Sequence, residues 1–137
     1  MEAQTAKILI VEDNSAVREL MAVLLRRSGY QVFEAADGLQ GLEQIGSLQP
    51  DIVIVDLGLP KLGGDELIAR IKADPRTVAI PAIVNTAFPA HDAAVKRAIA
   101  AGAAEVLFKP TELKLLLAAV SRHVLRPHSF LRDSRAA

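Results

Sequence analysis

Ile8-Leu9-Ile10-Val11-Glu12-Asp13 is the stretch whose reading decides the fold. Four aliphatic residues in a row, without polar alternation, suit a strand buried on both faces, and such strands belong to parallel sheets covered by helices on either side. The run stops at two carboxylates. Working outward, the pattern returns at Ile52–Val55, closed by Asp56, and at Ile80–Val84, followed by Asn85, Thr86 and Ala87. It returns again at Val106–Phe108, followed by Lys109 and Pro110, and more weakly at Gln31–Ala35.

Between these runs the apolar period lengthens to that of a helix. Val17, Leu20, Met21, Leu24 and Leu25 fall on one helical face, and Gly29 provides the stop. Leu39, Leu42 and Ile45 repeat the pattern, as do Leu67, Ile68 and Ile71 before Asp74-Pro75. A last helix, from about Glu112, carries Leu113, Leu116, Leu117, Val120 and Val124 until Pro127 breaks it. The Ala-rich segment 89–101 has only Val95 and Ile99 as larger apolar residues, so it is expected to pack less firmly. Alternating strands and helices predict an α/β fold, a doubly wound five-stranded parallel sheet with right-handed crossovers.

Composition narrows the field. A chain of 137 residues, 51% hydrophobic and with a mean hydropathy of +0.28, has the length of one domain and the apolar content of a folded one. Sixteen basic residues balance sixteen acidic ones, which predicts no direct nucleic-acid or membrane partner driven by bulk charge. The absence of cysteine excludes disulfides, thiolate catalysis and cysteine zinc sites. Residues 1–7 lack the apolar core of a signal peptide and no later run reaches membrane-spanning length, so a cytoplasmic location is expected.

In an open doubly wound sheet, ligands bind beyond the carboxyl ends of the strands. There the sequence places Glu12 and Asp13, Asp56, Thr86 with the small Ala87, and Lys109. Singly, each has an ordinary explanation: Asp13 or Asn14 could cap a helix, Asp56 could open a turn ahead of Gly58, Pro60, Gly63 and Gly64, and Lys109 could be solvated. Together they mark that edge as the candidate site. Two carboxylates about 4 Å apart repel by roughly 4 kcal/mol at an effective dielectric near 20, so three of them call for a cation. Oxygen donors favour a hard divalent ion, and Mg2+ is the expectation. With that ion and Lys109 the charge balances, leaving a site suited to a phosphoryl group. Asp56 would be the nucleophile that forms an acyl phosphate, Lys109 and the Thr86 hydroxyl would contact phosphoryl oxygens, and Ala87 would leave room for entry.

These residues carry a resemblance. From Lys7 to about Leu125 the sequence resembles the receiver domain of bacterial two-component response regulators. The resemblance rests on residues 8–13, on Asp56 with Pro60 and Gly64 behind it, on Asn85-Thr86-Ala87, on Ala101-Gly102-Ala103, and on Lys109-Pro110. It implies a flavodoxin-like sheet of order 2-1-3-4-5 and phosphorylation of Asp56 by a histidine kinase or a histidine phosphotransfer protein. It also implies Mg2+ held by Asp13, Asp56 and the Gly58 carbonyl with Glu12 nearby, a cis Lys109-Pro110 bond, and output to a downstream effector protein through the 89–125 face. On this reading residues 1–125 are the receiver domain and 126–137 a C-terminal tail or linker stub, and no enzymatic turnover beyond self-phosphorylation and self-dephosphorylation at Asp56 is expected.

There are departures from the family pattern. The position of its usual switch aromatic is Val106 here, and Phe108, on the same side of the strand, is expected to pack in the core. Glu12 stands for a common Asp, and Leu59 for a frequent Met. The alternatives are a receiver-like interaction domain that works without phosphorylation, or an aspartyl-phosphate phosphatase, against which Gly58 occupies the place of that chemistry's second Asp. A dinucleotide-binding domain is excluded because Glu12-Asp13-Asn14-Ser15 replaces the Gly-rich loop. His91, His123 and His128 show no ligand spacing and are expected at the surface.

Overall fold

Every apolar run pairs with its neighbour in parallel in the computed structural model, which describes residues 5–124. The tail expected at 126–137 lies outside the described residues. The elements alternate: β1 (Lys7–Val11), α1 (Ser15–Arg27), β2 (Gln31–Ala35), α2 (Gly38–Leu48), β3 (Ile52–Val55), α3 (Gly64–Ala73), β4 (Ala82–Thr86), α4 (Ala93–Ala101), β5 (Glu105–Phe108) and α5 (Leu113–His123). The sheet runs β2-β1-β3-β4-β5. Both the α/β doubly wound architecture and the strand order agree with the sequence reading.

The pleat distributes the aliphatic runs to the two faces. Ile8 and Ile10 of β1, Ile52 and Ile54 of β3 and Ile83 of β4 point to one side, against Met21, Ala22 and Leu25 of α1 and Leu116, Ala119 and Val120 of α5. Leu9, Val11, Val53 and Val55 point to the other, against Ile45 of α2 and Leu67 and Ile71 of α3. A third cluster, Val84 and Ala82 with Ile68, Ala94, Val95 and Ala98, seats α4, whose own buried side chains are small. The aliphatic side chains of β1 and β3 from Ile8 to Val11 and Ile52 to Val55 are at most 1% exposed, and each such burial is worth about 1.5–3 kcal/mol. These two strands anchor the ends that carry the acids.

The boundaries explain themselves locally. Asn14, Asp37 and Asp92 cap α1, α2 and α4 by accepting from backbone N–H groups, and Gly102 (φ 117°) closes α4 in the left-handed region. The fourth strand differs from expectation: it begins at Ala82, not Ile80, and runs through Asn85 and Thr86. Pro81 has no N–H to give a ladder, and the Ile80 and Val78 carbonyls accept from Lys72 Nζ at 2.7 and 3.0 Å, which holds that segment as a turn. The apolar face of α1 is also wider than the core it meets. Leu20 is 60% exposed and Val17 36%, and with Met21, Leu24, Leu113 and Leu116 they line an apolar groove of about 440 Å3 that opens beside Lys109 and Asn85. Leu39 is likewise half exposed.

Candidate phospho-acceptor site

The strand order brings the ends of β1, β3, β4 and β5 side by side, and backbone ladders fix their level. Asp56 N donates to the Val11 carbonyl at 3.0 Å, and Lys109 N donates to the Thr86 carbonyl at 2.8 Å. Glu12, Asp13 and Asp56 each turn a carboxylate oxygen to one point, where the three atoms lie within 4.8 Å of one another. Asp13 is exposed, Asp56 half-buried with its side chain 14% exposed, and Glu12 buried at 2%. The Asp56 carboxylate therefore keeps some contact with solvent. All three donors are hard oxygens close enough to share one ion, so the residues fit the expected Mg2+.

Lys109 comes from the fifth strand across the sheet. Its Nζ donates to Glu12 Oε1 at 2.7 Å and reaches Asp56 Oδ2 at 3.4 Å. Burial raises the Glu12 carboxyl above its ordinary range, outweighing the Lys109 hydrogen bond and the Asn14 N–H that lower it, and the Asp56 charge raises it further. Burial alone would depress Lys109, but the Glu12 hydrogen bond and the Asp56 and Glu12 charges outweigh it and hold the ammonium above its ordinary value. Lys109 therefore stays charged in the neutral range.

Thr86 is fully buried at the end of β4, and its Oγ1 accepts from Phe88 N–H at 3.0 Å. That leaves the hydroxyl proton free to donate elsewhere. Ala87 beside it is exposed. Gly58 N sits 3.4 Å from Asp56 Oδ1, and the Phe88 ring lies against Gly58. The Lys109-Pro110 bond is cis.

Some participants emerge only from the fold. Arg18 donates to the Glu12 carbonyl at 2.8 Å and pairs with Glu34 at 3.2 Å, bracing the β1 end. Thr111 Oγ1 donates to Asn85 Oδ1 at 2.7 Å, tying the turn after Lys109 to β4. Neither residue belongs to a local motif, and their sequence separation from their partners hides the contact. Two expectations change. Phe108 is 43% exposed at the end of β5 and packs in no core cluster, because the strand ends there, whereas Val106 joins the α4 cluster. His123 is not a free surface residue: its Nε2 lies 2.8 Å from Glu105, which Arg122 also holds at 2.6 Å. His91 is exposed as expected, and His128 lies outside the described residues.

Residues 8–121 match the family model described as the response regulator receiver domain. The chain belongs to that family. As a receiver domain it is a phosphorelay signalling module, and receiver domains are phospho-acceptor switches that are generally not enzymes. It is 36% identical over 120 residues to the DNA-binding dual master transcriptional regulator RpaA of Synechocystis, covering 88% of this chain and 49% of that one. It is 31% identical to sporulation initiation phosphotransferase F of Bacillus subtilis, covering 86% of this chain and 93% of that one. Among solved structures it superposes with a TM-score of 0.81 and 29% identity on the receiver domain of the sensor histidine kinase PA1611 of Pseudomonas aeruginosa. That structure has a magnesium ion coordinated in its active-site cleft, and the match covers 88% of this chain and 98% of that one. This receiver domain spans about half the length of several regulators it matches. Among the described residues no helix is long and apolar enough to cross a membrane.

Proposed function

We propose that this receiver domain takes a phosphoryl group on Asp56 from a histidine kinase or a histidine phosphotransfer protein and passes the signal through the 89–125 face to a downstream effector protein, in the cytoplasm. The observation that carries the reading is the convergence of three carboxylate oxygens within 4.8 Å beside the Lys109 ammonium. Mg2+ would be held by Asp13, Asp56 and the Gly58 carbonyl, with Glu12 nearby, and when bound it supplies positive charge against which phosphoryl oxygens are neutralised.

The chain's own groups account for the rest. An Asp56 carboxylate oxygen attacks phosphorus in line; a P–O bond forms as the P–N bond to the donor imidazole breaks, and the imidazole nitrogen leaves with the electron pair and takes a proton from solvent. Lys109, already 3.4 Å from Asp56, is placed to pair with a phosphoryl oxygen. The Thr86 hydroxyl donates to another, and Ala87 leaves the entrance open. Intact-mass spectrometry with acetyl phosphate and Mg2+ tests this: one phosphoryl adduct is expected on the wild type and none on Asp56→Asn, whereas an unmodified wild type under excess donor would contradict it.

A further inference from the structure

The chain holds four phenylalanines, and one of them bridges the acceptor site to a helix on the surface. Resting on the acceptor reading above, we propose that Phe88 is the positioning residue that carries the state of the site to α4, moved by Thr86 through the backbone of their shared turn. Thr86 Oγ1 accepts from the Phe88 N–H at 3.0 Å. A hydroxyl has one proton to donate and two acceptor positions, so Thr86 can donate to a phosphoryl oxygen without releasing Phe88. When Thr86 shifts toward that oxygen, Phe88 follows.

The Phe88 ring has two neighbours that make the movement matter. A methyl group at Gly58 would meet its Cζ at 3.3 Å, so the ring lies against the loop that follows Asp56. It also packs on the cluster of Leu57, Val84, Ala94, Val95 and Ala98. The buried residues of α4 are only Ala94, Val95 and Ala98, and the ring is the largest side chain packed on the cluster they share with Leu57, Ile68 and Val84. No ring reaches the cluster from β5: Val106 packs there, while Phe108 is 43% exposed and outside it. A close-packed contact of this kind responds to displacement by re-seating, since interiors have few voids to absorb it. Phe88 thus couples a polar event at Thr86 to the cluster on which α4 sits, a helix whose own buried side chains are small.

The test labels the full chain with fluorophenylalanine and assigns the Phe88 resonance in the 19F spectrum by its loss in Phe88→Leu. Beryllofluoride with Mg2+ is then added, and its own bound 19F signal reports occupancy in the same spectrum. Occupancy is expected to move the Phe88 resonance in the wild type and in Thr86→Ser, and to leave it in place in Thr86→Val and Thr86→Ala, which lack the hydroxyl, at saturating probe. Hydrogen exchange supplies a second readout. Occupancy is expected to change the protection of α4 amides in the wild type and not in Phe88→Ala. A bound signal with an unmoved Phe88 resonance in the wild type, or an equal movement in Thr86→Val or Thr86→Ala, overturns the coupling. Unaltered α4 exchange changes in Phe88→Ala would do the same. A wild type with no bound signal overturns the acceptor reading itself, and the coupling with it.

Discussion

Glu12 sits at the balance point of the site's electrostatics. A carboxyl buried at 2% is costly to ionise, and the Lys109 ammonium 2.7 Å away offsets only part of that cost, so the folded state binds its proton more tightly than the unfolded chain does. A group raised in this way contributes stability that is full below its ordinary value of 4.5 and lost as pH rises through its folded value. Glu12→Gln removes the titration. In metal-free buffer, the stability of this variant relative to the wild type is therefore expected to increase between pH 4.5 and neutrality, read by urea unfolding at a series of pH values; a constant difference would contradict it. Gly64 poses a different constraint at the same place. A Cβ there would collide with the Asp56 carbonyl and the Leu57 backbone, neither of which can swing aside. Gly64→Ala is expected to destabilise the fold by about 1–3 kcal/mol, as overpacking does, measured by the shift in urea midpoint.

Among the elements, β5 and α5 are joined by charge as well as by packing. Glu105 receives Arg122 at 2.6 Å and faces His123 at 2.8 Å. The Arg122 hydrogen bond lowers the Glu105 carboxyl below its ordinary 4.5, with His123 adding to this and burial opposing it. The sign is the reverse of that for Glu12: the contribution is present above 4.5 and lost as pH falls through the lowered value. Arg122 is 54% exposed, so solvent screening keeps the pair to at most about 1 kcal/mol. Glu105→Gln is expected to be less stable than the wild type by that order at neutral pH and equal to it in acid, checked by thermal unfolding at both. The neighbouring α4 meets the core through small side chains. Its Ala-rich stretch buries only Ala94, Val95 and Ala98 and leaves Ile99 56% exposed.

For the molecule as a whole, the parallel sheet was legible because Ile and Val runs without polar alternation have few other uses, and the acids at their ends marked one rim. β4 was placed two residues early because an apolar run does not reveal that Lys72, eight residues before Ile80, clamps the segment ahead of Pro81. The α1 stripe was legible as apolar but not as half unburied, since Val17 and Leu20 project past the sheet into a groove. At the rim, Glu12, Asp13, Asp56 and Lys109, singled out by position, do converge, and Thr86 ends the neighbouring β4, while Arg18 and Thr111 were not foreseen: their contacts exist only in the folded chain. Glu12's burial, and the proton affinity that follows, belong to the same class.

Asp56, among the clustered acids, is the proposed resting place of the phosphoryl group. Treating the full chain with acetyl phosphate and Mg2+, reducing the acyl phosphate with borohydride, and sequencing the peptides by mass spectrometry tests it most directly, because reduction marks the modified aspartate as homoserine. Homoserine is expected at position 56 with Glu12 and Asp13 unchanged. The mark on Asp13, on Asp65 or on no acid at all would contradict it.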